Sequence, residues 1–78
     1  MSTLLELVKN EGEQKVITLG CNSKGKPTIE KGELRYGSTD GCYFHTSGMT
    51  FTVSDRIVNS IFLLNTPANR KILKSKIK

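Results

Sequence analysis

The sequence predicts an α+β fold: a small antiparallel sheet, or an SH3-like partial barrel, of four to five strands flanked by N- and C-terminal helices. Three observations predict it. Leucines at helical spacing open the chain, a period-two alternation broken by turn residues fills its middle, and a capping residue followed by proline introduces a basic helical repeat at its end. At 78 residues the chain reads as one domain, 1–78. A core of this size supplies only about 3–5 kcal/mol net, which leaves little to support a strained, buried active centre.

The first element is a helix over 3–11. Thr3 followed three residues later by Glu6 is a capping-box pattern, and Leu4, Leu7 and Val8 share a face. Gly12 stops it. Lys15 to Cys21 is rich in β-branched residues and reads as a strand, and Asn22 to Pro27 is turn chemistry. A second strand runs from about Thr28 to Tyr36, with Gly32 marking a bulge or a close backbone approach. Ser38 to Gly41 is a tight turn, Cys42 to Thr46 a third strand, Ser47-Gly48 a two-residue hairpin turn and Met49 to Ser54 a fourth strand. In that fourth strand Met49, Phe51 and Val53 alternate with Thr50, Thr52 and Ser54, the pattern of a half-buried strand.

Residues 56–64 fit two templates. Ile57, Val58, Ile61, Phe62 and Leu64 would line a helical face, yet a β-branched and aromatic run also suits a strand. The reading adopted is a fifth strand over residues 60–65 after a helical turn. Thr66-Pro67 then opens a last helix, with Ala68, Ile72, Leu73 and Ile77 turned inward and the bases fanned outward.

Charge is segregated along the chain. The net charge is +5, from 12 Lys and Arg against 7 Asp and Glu. Residues 1–69 are balanced, so the whole excess lies in Arg70, Lys71, Lys74, Lys76 and Lys78. Such a surface attracts polyanions or acidic protein surfaces, while as part of a helix end it also favours the negative pole of the helix dipole. The electrostatic contact surface expected from the sequence is Arg70, Lys71, Lys74 and Lys78, with Lys24 and Lys26 of the first hairpin. No apolar run approaches the length of a membrane span and the N-terminus lacks a signal-peptide pattern, so a soluble chain with no membrane partner is expected, and a monomer. Cys21 and Cys42 are expected as buried free thiols rather than as a bridge.

No catalytic constellation is legible, and no cofactor or metal is expected. His45 is the only histidine and alternates with Tyr43 and Phe44 as an ordinary sheet residue, with no nucleophile or carboxylate beside it in sequence. Gly20 to Lys26 has the spacing of a phosphate-binding P-loop, but Pro27 stands where that loop needs a hydroxyl and a helix. Cys42 and His45, three apart in a strand, point to opposite faces and would not share a zinc ion with Cys21. A stacking platform for nucleic acid would use Tyr36, Tyr43 and Phe44 beside Lys24, Lys26, Lys31 and Arg35, although a chain with five aromatics spends most of them in its core.

One pattern reaches beyond composition. Ile29 to Gly37, then Asp40-Gly41, then Gly48, Thr50 and Ser54 resemble the central hairpins of the internal protein I family of T-even bacteriophages, with a short N-terminal helix beginning at Thr3-Leu4 and a basic helix at Lys71-Ile72 around them. The resemblance implies a small non-enzymatic protein packaged in the phage head and injected with DNA, inhibiting a host restriction nuclease by direct binding. It would then reside in the virion interior and afterwards in the host cytoplasm; without it a cytoplasmic location is expected. A fainter similarity of residues 15–64 to Sm- or SH3-like barrels implies a nucleic-acid or peptide groove, and a small basic nucleic-acid-binding module is the alternative reading.

Overall fold

The computed structural model describes residues 3–37 and 41–77. The chain runs α1 (Leu4–Glu11), β1 (Gln14–Cys21), β2 (Pro27–Tyr36), β3 (Gly41–Thr46), β4 (Met49–Ser54), α2 (Asp55–Ile61), β5 (Phe62–Leu64) and α3 (Pro67–Ile77). The expected turn at Ser38–Asp40 lies outside the described residues.

Local chemistry sets most of these boundaries. Thr3 Oγ1 accepts from the Glu6 amide at 3.2 Å, the cap bond the pattern predicts, and donates to Glu6 Oε1 at 3.2 Å, so the carboxylate returns to the cap's hydroxyl. Gly12 ends α1 at φ 92°, a conformation that side chains disfavour. Asn22 builds the β1–β2 turn: its Oδ1 accepts from the Lys24 and Lys26 amides at 2.9 and 3.0 Å. Ser47 (φ 51°) and Gly48 (φ 76°) both have positive φ, the twist that a two-residue hairpin requires.

The five strands form one open antiparallel sheet in the order β4-β3-β2-β1-β5. The first four make a meander, as the turn spacing predicts. β5 returns to the far edge beside β1, pairing Val16 with Leu64 and Thr18 with Phe62. Because β4 and β5 lie at opposite edges, the chain must cross the sheet between them. α2 makes that crossing, which is why the ambiguous segment 56–64 is helical up to Ile61 and a strand only over Phe62–Leu64, shorter than the strand expected over 60–65. Ser54 caps the helix, its Oγ accepting from the Arg56 amide at 3.3 Å.

Strand register sorts the side chains into two faces. One carries Val16, Leu34, Cys42, Phe44, Val53 and Phe62, which with Val8 of α1 and Val58 of α2 form the main core. The Phe44 and Phe62 rings meet at 4.8 Å between centroids, tilted by 51°. The opposite face carries Ile17, fully buried, and α3 lies over it through Leu73. The sheet is thus sandwiched between α1 with α2 on one side and α3 on the other.

One alternative is resolved and three expectations are corrected in detail. Gly32 is no bulge, since the β1–β2 register runs unbroken through Val16↔Gly32; it is a close approach, with the space for a Cβ 2.3 Å from the His45 carbonyl oxygen. Cys21 is exposed rather than buried, and both cysteines are free. In β4 only Val53 is buried; Met49 and Phe51 stand in solvent. In α3 the inward residues are Leu73 and, less deeply, Asn69, Arg70 and Ile77, whereas Ala68 and Ile72 face out. Polar anchors fix that rotation: Asn69 Nδ2 donates to the Leu64 carbonyl at 2.9 Å, and the Asn69 amide to Thr66 Oγ1 at 3.2 Å.

Candidate docking surface

α3 starts level with the beginning of β1, where the Asn65 amide donates to the Lys15 carbonyl at 3.0 Å. It rises alongside β1, so that Lys76 lies with Leu19, Leu63 and Leu73 around a depression of about 250 Å³. A helix of this length spans about 16 Å, or roughly five strand residues. Its last turn therefore reaches the level of Leu19, just short of the β1–β2 turn, and the two basic segments of the sequence lie toward the same end of the molecule.

Of the residues expected to form the contact surface, Lys71 and Lys74 are exposed on α3, and Lys24 and Lys26 are exposed on the Asn22-organised turn. Lys78 lies outside the described residues. Arg70 differs in kind: it is half-buried, and its guanidinium donates to Asn65 Oδ1 at 2.6 Å, bracing the loop from β5 into α3. Lys76, counted in the charge excess but not in the expected contact surface, lies on this side too, as does Lys31, on the α3 side of β2 opposite Ile17. The signal that finds both is register: alternation along β2 for Lys31, helical spacing from Lys71 and Lys74 for Lys76. The acids Glu11, Glu13 and Glu33 lie toward the other end, where α1 finishes and β1 begins. Glu30 lies near the β1–β2 turn on the opposite side of the sheet from α3, where its Oε1 accepts from Thr28 at 3.3 Å.

The nucleic-acid platform loses two of its three rings. Phe44 is in the core, and Tyr36 is half-buried beneath Lys9, whose Nζ stands 5.1 Å from the ring centroid. Tyr43 alone remains on the open part of the sheet. There, beyond the reach of α3, Glu13, Glu33, Arg35, Tyr43, His45 and Thr50 line a groove of about 340 Å³. His45 Nδ1 is 2.9 Å from Thr50 Oγ1, and Glu33 pairs with His45 across the next strand gap. Sequence separation hid this row, which the hairpins assemble. Both His45 and Thr50 are exposed. The groove is lined by both signs of charge.

Burial pushes the Cys42 thiol above its ordinary pKa, with the Asp55 charge acting the same way and Lys9 opposing. No group of three metal-ligating side chains occurs among the described residues, and none of their helices is long and apolar enough to cross a membrane. Compared with known proteins, the chain matches no family model, no curated protein and no solved structure.

Proposed function

We propose that the chain works by docking its cationic end onto an acidic protein surface, without catalysis, and that, as the resemblance to the phage internal protein I family suggests, the partner is a host defence nuclease that it inhibits. One observation carries this reading: Lys24 and Lys26 of the turn and Lys74 and Lys76 of the last turn of α3 lie toward the same end, without the acids that are interspersed with Lys9, Lys15 and Arg35 toward the other, Glu11, Glu13 and Glu33. A molecule so polarised orients in the field of an anionic partner before contact, which raises the association rate and fixes register. A protein surface is favoured over single-stranded nucleic acid because Tyr36 and Phe44 are engaged within the fold, leaving no run of rings for successive bases.

The test is capture from bacterial lysate treated with nuclease, using the native chain and the double variant Lys71→Glu/Lys74→Glu. The expected result is a stoichiometric protein partner whose association slows about tenfold or more in the variant and with added salt. Recovery only through DNA, or DNA affinity falling with salt at a log–log slope of about −4 to −5, would instead establish the nucleic-acid module.

A further inference from the structure

The outer edge of β4 is unlike the rest of this charged molecule. Natural edge strands are blunted by lysines, prolines, bulges or brevity, because an open row of amides and carbonyls recruits another strand. β5, the other edge, is short, at three residues. β4 has six residues and none of these devices, and its register with β3 is unbroken from Gly41↔Ser54 to Thr46↔Met49. Residues 41–54 contain no lysine, arginine, aspartate or glutamate. Two large apolar side chains stand along it in solvent, Met49 at 57% and Phe51 at 45% exposure.

Backbone phase says which residues the edge offers. The Gly37 amide donates to the Gly41 carbonyl, so Gly41, Tyr43 and His45 direct their backbone toward β2, and Cys42, Phe44 and Thr46 toward β4. Their partners Val53, Phe51 and Met49 are consequently satisfied inside the sheet, and Thr50 and Thr52 present amide and carbonyl outward. An antiparallel copy of β4 centred on Phe51 fits this phase. Thr50 and Thr52 would exchange hydrogen bonds with Thr52 and Thr50 of the second copy. Phe51 would meet its counterpart in the closer, non-hydrogen-bonded pair, on the same sheet face. Antiparallel pairing also turns the two cationic ends away from each other, and the contact falls on the stretch of chain with no charge to repel.

We infer that β4 is a self-recognition edge, through which two copies join into one continuous ten-stranded antiparallel sheet about a two-fold axis at Phe51. The contact is small for a protein interface, so the dimer exchanges with the monomer that the sequence predicts, and the inference is independent of the docking reading.

Sedimentation velocity over about two decades of concentration should show reversible dimerisation, undiminished by salt because no charges are paired. Phe51→Lys should weaken it about tenfold, by replacing an aromatic pair with like charges directly opposite. Thr52→Pro, which removes only an outward amide, should weaken it while leaving the circular dichroism of the fold intact. Register is read by cross-linking in a Cys21→Ser background under glutathione disulfide: Phe51→Cys should form a covalent dimer readily and Thr52→Cys should not, since residue 52 faces residue 50. A chain monomeric at every concentration, or preferential cross-linking at residue 52, would overturn the proposal.

Discussion

At the scale of single residues, the two cysteines show how position in the sheet governs reactivity. Cys42 lies in the main core with no exposed surface, and Cys21 ends β1 in solvent. Iodoacetamide should therefore label one thiol per native chain, at Cys21, and two after denaturation, as counted by mass spectrometry. The raised pKa of Cys42 also has a direction in stability. The unfolded chain releases the thiol proton first as pH climbs past the ordinary value near 9.0, so the native state loses ground from there up through the raised value. Cys42→Ala should flatten that alkaline loss in a pH series of thermal melts. Gly32 is governed by space: a Cβ there would press on the His45 carbonyl and the Phe44 ring. Gly32→Ala should cost about 1–3 kcal/mol in urea unfolding. The glycine was legible as a point of close approach because a strand seldom tolerates one without cause; Cys21 was not, because exposure at a strand end depends on where the neighbouring turn leads.

Among the elements, α1 and the four-strand meander were readable because each carries its own punctuation in caps, glycines and paired turn residues. The helical turn followed by a fifth strand was also readable between β4 and α3, but not its bounds or the crossing, since nothing local tells a β-branched run that it must leave one sheet edge and arrive at the other. The rotation of α3 was misjudged for a related reason. Its apolar pattern is weak, and the hydrogen bonds of Asn69 and Arg70 to the loop before it decide which side faces the sheet. Leu73 is then the principal apolar contact of α3, and Leu73→Ala should cost about 2 kcal/mol or more. Lys71→Glu and Lys74→Glu, fully in solvent, should shift stability by no more than about 0.5 kcal/mol, so that any binding defect in those variants is electrostatic.

For the molecule as a whole, the sequence located the charge excess but not its geometry. Lys24 and Lys76 are far apart in the chain and lie toward the same end only because α3 climbs beside β1. Likewise the row Glu33, His45, Thr50 exists only once β2, β3 and β4 are in register. What the sheet layers create, composition does not contain.

The division of the interior into two unequal parts has a kinetic consequence. The larger core joins α1, α2 and the sheet, whereas α3 rests on the reverse face through a separate, smaller contact around Ile17 and Leu73. Amide exchange should report this as two cooperative units, with α3 opening at a lower free energy than the strands beneath it. A partner gripping the lysines would stabilise the weaker unit first, and the slowed exchange of the α3 amides would register binding before any change in the sheet.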